Sequence, residues 1–168
     1  MNWKVEPNED KSIIDSLSNE LKVDTIISSM LVRRGITNYS QAKFFFRPSL
    51  NKLHDPFLMK DMNVAVERIL SAIEKKESIM IYGDYDVDGT SSVALLSSYL
   101  KELGAICTYY IPDRNSEGYG ISLKAIDLAS SNNQRLVIAL DCGIKAHSQV
   151  EYALNKKIDF IICDHHNP

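Results

Sequence analysis

A chain of 168 residues, 45% hydrophobic and 24% charged, has the composition of an ordinary globular protein and room for one main domain with a small appendage. That excludes wholesale disorder. No run approaches the ~20 apolar residues of a bilayer span, and the start MNWKVEPNEDK is polar and acidic where a signal peptide is basic and then apolar, so the expected compartment is the cytoplasm, with no membrane. Cys107, Cys142 and Cys163, an odd number without an export signal, read as reduced thiols.

The formal charge of −3 is unevenly spread. Residues 1–60 hold nine Lys/Arg and seven Asp/Glu, residues 61–168 ten and fifteen. Asp84, Asp86, Asp88, Asp141 and Asp164 equal the deficit of the second part, and all lie in short motifs. Two bound divalent cations would turn −3 into +1, so the acidity argues for metal as much as against a polyanion.

In chain order, Asp24–Arg33 carries Ile27, Met30 and Leu31 at helical spacing with Gly35 to stop it, and Ser40–Phe46 forms another short helix ended by Pro48. Residues 1–60 thus read as a small helical appendage, with Phe44, Phe45 and Phe46 in its core and not a base-stacking platform. From Asp61, an expected N-cap, Met62, Val66, Ile69, Leu70 and Ile73 fall on one helical face as far as about Lys76. Ile79–Tyr82 reads as a buried strand that breaks into GDYDVDG, after which a helix opens at Thr90. The cycle repeats: strand Ala105–Ile111, loop Pro112–Gly120, helix from about Ser122; strand Leu136–Leu140 into Asp141-Cys142-Gly143, helix Ala146–Asn155; strand Phe160–Ile162 into Asp164-His165-His166. The alternation predicts an α/β domain over 61–168, with a mostly parallel sheet and helices on both faces. Three of the four strands end in acids, at the carboxyl edge where open α/β sheets bind ligands.

Several chemistries compete for these motifs. Asp84, Asp86, Asp88 and Gly89 mimic a calcium loop, but its twelfth position holds Leu95 and a strand precedes it. Asp86-Val87-Asp88-Gly89-Thr90 resembles the DxDGT signature of haloacid-dehalogenase phosphotransferases, which leaves Asp84, Asp141 and Asp164 without a role. Solvated turn aspartates explain one such loop but not three acidic strand ends, whose mutual repulsion divalent cations would relieve. Histidine beside carboxylates suits Mn²⁺ or a similar ion. Zinc held through Cys142 and Cys163 lacks any CxxC spacing, and both read better as buried thiols. His54 and His147 read as surface or packing residues.

Together and in this order, GDYDVDG, LDCG and DHH resemble the first three motifs of the DHH phosphoesterase superfamily. The stretch LVRRGITNYSQAKFFFRPSLNKLHDPFLMKDMNVAVERILSAI and the loop IPDRNSEGYGIS resemble its bacterial exonucleases specific for single-stranded DNA. The likeness covers roughly residues 25–168. It implies removal of mononucleotides from the 5′ end of single-stranded DNA, as in repair and recombination, by a two-metal site using Mn²⁺ or Mg²⁺. By analogy Asp86 and Asp88 each serve a metal, Asp84 assists the first, Asp141 bridges the two and His165 binds one. Asp164 orients a histidine, and His166 faces the scissile phosphate. Thr90 and Ser91 at a helix start, and Arg114 in the glycine-bearing loop, are weaker candidates for phosphate contact, equally readable as caps and a solvated loop. The family pattern continues with a fourth motif and a second domain, so the chain reads as the N-terminal part of the catalytic domain, weak or inactive alone. A phosphodiesterase for short oligonucleotides or cyclic dinucleotides and an inactive scaffold of the same fold remain as alternatives.

Overall fold

The structure, a computed structural model, describes residues 10–168, and the chain divides into two compact units between Asp55 and Pro56. In the first, α1 (Lys11–Leu21), α2 (Thr25–Val32) and α3 (Tyr39–Phe46) bury Leu17, Leu31 and Ala42 together. Asp10, Asp24 and Asn38 start these helices, accepting from the N–H groups of Ser12, Ile26 and Gln41. Gly35 follows α2 at φ +76°, a turn that its missing Cβ permits. The expected Phe core is corrected: Phe44, Phe45 and Phe46 are 54%, 50% and 56% exposed. A two-turn helix buries one narrow stripe, and Ala42 occupies it. Phe44 and Phe45 instead line an open groove with Arg34, Ile36 and Gln41.

The second unit holds α4 (Met62–Glu74), β1 (Ser78–Gly83), α5 (Val87–Glu102), β2 (Ile106–Tyr110), α6 (Leu123–Ser131), β3 (Leu136–Leu140), α7 (His147–Asn155) and β4 (Asp159–Cys163). The strands form one all-parallel sheet in the order β2-β1-β3-β4. From β1 the chain steps one way to β2 and then returns past β1 to β3. Right-handed crossovers therefore place α5 and α6 on opposite faces. Packing agrees: Ile79, Ile81, Leu136, Ile138 and Leu140 meet Ala72 of α4 and Val93 and Leu100 of α5. Met80, Tyr82, Val137 and Ala139 meet Ala125, Ile126 and Ala129 of α6 and Ala153 of α7. Every residue of β3 is buried, which is why it reads as an unbroken apolar run.

Two starts differ from expectation. Asp61 stands at the N-cap of α4, but at φ 58° and without a side-chain cap bond, so its carboxylate is not what begins the helix. Helix α5 begins at Val87, three residues before Thr90, because Asp86 caps it: its Oδ1 accepts from Asp88 N–H and Gly89 N–H, both at 3.0 Å. No helix among the described residues is long and apolar enough to cross a membrane.

Candidate metal centre

Gly83, Leu140 and Cys163 are register partners across β1, β3 and β4. The next residues are Asp84, Asp141 and Asp164, so three acids stand in one row at the carboxyl edge. The row is held by backbone bonds, Asp141 N–H to Cys163 O at 2.8 Å and Asp84 N–H to Leu140 O at 3.4 Å. It lies where the connections from β1 and β3 run to opposite faces, the topological switch point at which such sheets bind ligands.

The loop after β1 is shaped by close approach. A Cβ on Gly89 would collide with the backbone of Asp84, and one on Gly83 would meet Val93 Cγ2 and the Gly89 carbonyl oxygen. Two glycines thus let the first turn of α5 press against the strand end. This buries Asp84 to 3% exposure, where its Oδ1 has no hydrogen-bond partner. A buried carboxylate oxygen without a donor is costly unless a cation completes it.

Asp141 is also buried, at φ 60°, a left-handed conformation that Asp tolerates better than most residues. Burial pushes its carboxyl up, Asp86 and Asp88 add to this, and His165 and His166 oppose it. His165 Nε2 lies 3.0 Å from Asp141 Oδ1. Asp164 accepts from Ile144 N–H at Oδ2 (2.9 Å) and from His166 at Oδ1, through its backbone N–H (3.1 Å) and Nδ1 (2.7 Å). Burial alone would raise the Asp164 carboxyl, but these donors hold it below its usual range, and Asp164 in turn raises the His166 imidazole.

Two groups of ligand atoms could each hold a metal ion: Asp84, Asp86 and Asp141; and Asp141, His165 and His166. Asp141 belongs to both. The sequence candidates Asp84, Asp86, Asp141, His165 and His166 are thus brought together, with Asp164 behind His166. Asp88, in the first turn of α5, is in neither group. Thr90 and Ser91 lie inside the helix, their hydroxyls donating to Asp86 O at 2.7 Å and Val87 O at 2.5 Å. Arg114 stacks over the Tyr85 ring, 5.2 Å to its centre, which sets a guanidinium beside the acidic loop.

Neither group contains a cysteine. Cys142 is buried, with its thiol pushed up to about 12 by burial and then by Asp84, Asp164 and Asp141. Cys163, expected to be buried, is exposed, because β4 is the sheet's edge strand among the described residues. His54 and His147 are exposed, as expected. Sequence reasoning missed Tyr119, whose ring stands edge-on to His166 with centres 6.1 Å apart and whose hydroxyl is 3.5 Å from Nδ1. The glycines on either side of it, Gly118 and Gly120, were the available signal, since both adopt positive φ and make the loop turn around the tyrosine.

The donor set suits Mn²⁺ or Mg²⁺: carboxylate oxygens with one or two imidazoles, and one acid placed to serve two ions. A parallel sheet with acids and histidines gathered at its switch point is the architecture of a domain suited to holding divalent metal ions. The chain belongs to the DHH family, whose N-terminal domain matches residues 78–168. Over its whole length it is 38% identical to the single-stranded-DNA-specific exonuclease RecJ of Bacillus subtilis (strain 168), of which it spans 21%. A crystal structure of exonuclease RecJ bound to manganese superposes with a TM-score of 0.61 at 32% identity, covering 66% of this chain and 28% of that one. RecJ of Thermus thermophilus in complex with Mn²⁺ shares the fold over 95% of this chain and 22% of that one, at 24% identity and a TM-score of 0.69.

Proposed function

We propose that this domain is the metal-binding part of a single-stranded-DNA exonuclease working from the 5′ end and releasing mononucleotides in the cytoplasm. The observation that carries the reading is Asp141, shared between two ligand groups at the switch point. The similarity to RecJ supports the substrate. Asp84, Asp86 and Asp141 would hold one Mn²⁺ or Mg²⁺, and Asp141 with His165 the other, with Asp88 near enough to raise the Asp141 carboxyl and so to add its charge to the site. Bound there, the ions would supply Lewis acidity and an activated water.

The chain's own residues do the rest. Asp164 accepts from His166 Nδ1–H and favours the protonated imidazolium, whose Nε2–H would then be free to donate to the phosphate or hand its proton to the departing sugar oxygen. Ile144 N–H ties Asp164 to the loop after β3, so the imidazole is oriented by two strand ends at once. Arg114, poised over Tyr85, offers charge to a neighbouring phosphate.

The test is release of nucleotides from 5′-labelled single strands by the full-length protein. The proposal expects activity only with Mn²⁺ or Mg²⁺, and a loss of at least ~100-fold in D86N and D141N. Undiminished activity in those variants contradicts it, and a strong preference for dinucleotides over long strands would replace the DNA exonuclease by an oligonucleotide phosphodiesterase.

A further inference from the structure

The loop between β2 and α6 is built around one buried carboxylate. The Glu117 side chain is 6% exposed. It accepts from the Tyr110 hydroxyl at 2.9 and 2.8 Å, the Ser122 hydroxyl at 2.6 Å and Asp113 N–H at 3.1 Å. Tyr110 ends β2 and Ser122 caps α6, so one side chain closes the loop from its first anchor to its last. Tyr82 adds a second tie by donating to Gly120 O at 2.6 Å and accepting from Ser122 N–H at 3.3 Å. Burial alone would raise the Glu117 carboxyl, but the donors from Ser122, Asp113 and Tyr110 hold it below its usual range, so it is ionised and accepts from all three at neutral pH.

The loop presents two side chains to the metal centre, one on each side of Glu117. Arg114 lies over Tyr85 in the acidic loop, and Tyr119 stands edge-on to His166. Glu117 belongs to neither ligand group. We propose that Glu117 is a positioning residue: by closing the loop on its carboxylate it fixes Arg114 and Tyr119 as a preformed wall against which a single-stranded nucleic acid is laid before hydrolysis. The identity of that substrate rests on the exonuclease reading; the positioning does not. A preformed wall favours binding over chemistry, because it removes the ordering cost that a mobile loop would impose on the bound strand.

Two readouts on E117A, E117Q and the reference variant Y119L test this. One is the His166 imidazole resonances of the metal-free protein, which the Tyr119 ring current shifts. The other is KM and kcat on single-stranded DNA at saturating Mn²⁺. In E117A the resonances should move to the Y119L positions and KM should rise about tenfold, with kcat within about threefold and Mn²⁺ affinity within about twofold of wild type. E117Q keeps an acceptor for Asp113 N–H and the Tyr110 hydroxyl and should fall between; it also decides the matter where E117A does not fold. Wild-type His166 resonances in the variant that folds would overturn the proposal, as would an unchanged KM or a fall in kcat that tracks lost Mn²⁺. A wild-type protein without nuclease activity would remove the exonuclease reading, and the resonances would still decide whether Glu117 positions Tyr119.

Discussion

His165 Nε2 stands 3.0 Å from Asp141 Oδ1, although the two side chains come from the ends of different strands. Two ligands bound ~2.1 Å from one octahedral ion are about 3.0 Å apart along an edge of the octahedron, so the pair is spaced to share a cation. Without the ion, the same spacing is an imidazole beside a buried carboxylate. H165A should therefore weaken one Mn²⁺ by at least about tenfold and leave the Asp84–Asp86 side largely intact. Calorimetric titration reads this as the loss of one of two binding events; two unchanged events would show that His165 is no ligand.

Gly89 is the point at which α5 and the end of β1 come closest. G89A must separate them, so overpacking should cost about 1–3 kcal/mol and displace Asp84 and Asp86 together. Urea unfolding should show the loss of stability and Mn²⁺ titration a weakened first site. A fully stable G89A with native metal affinity would mean that the tight approach does not matter.

Acid should act through Glu117. Its folded-state pKa lies below the ordinary 4.5, so its stabilisation is complete above that unfolded value and disappears as pH falls through the lower folded one. Wild type should then lose more stability than E117Q between pH 7 and pH 3, as urea midpoints measure; equal losses would contradict the assignment. The His166 imidazole, held up by Asp164, has the opposite sign. The imidazole is raised above 6.5, so in the metal-free protein its stabilisation is full below that value and fades as pH rises through the raised one. Its NMR titration midpoint should lie above 6.5 and fall in D164N.

At the opposite edge of the sheet, Arg68 joins α4 to the strands. Its guanidinium donates to Asp159 and Glu77, each at 2.7 Å, and more weakly to Arg135 O at 3.4 Å. With the arginine only 23% exposed, R68A should cost on the order of 1–2 kcal/mol. The cost should shrink in high salt. A difference below about 0.3 kcal/mol in denaturant unfolding would mark the network as a solvated surface feature.

The sheet was legible because its strands are buried on both faces. Leu136–Leu140 has no polar residue to blur its ends, and β3 has those bounds. The start of α5 was not, because Asp86 acts as a helix cap as well as a candidate ligand, and a motif read for its acids hides the cap. Helix α1 went unread although Ile13, Ile14, Leu17 and Leu21 recur at helical spacing, since polar neighbours dilute that stripe. The acidic row was foreseen from the strand ends alone. Glu117 could not be, because its importance lies in burial among Tyr110, Ser122 and Asp113, which only folding creates. The Phe44–Phe46 run misled for the converse reason: apolar residues in sequence do not say which of them a short helix buries.

The central claim is that Asp141 serves two ions at once, and D141N tests it most directly, because Asn keeps the side-chain shape and tolerates the left-handed backbone at that position. Electron paramagnetic resonance of the Mn²⁺-loaded protein should show a coupled pair in wild type, and in D141N no coupling and weakened binding of both ions. A coupled pair of undiminished affinity in D141N would contradict the account.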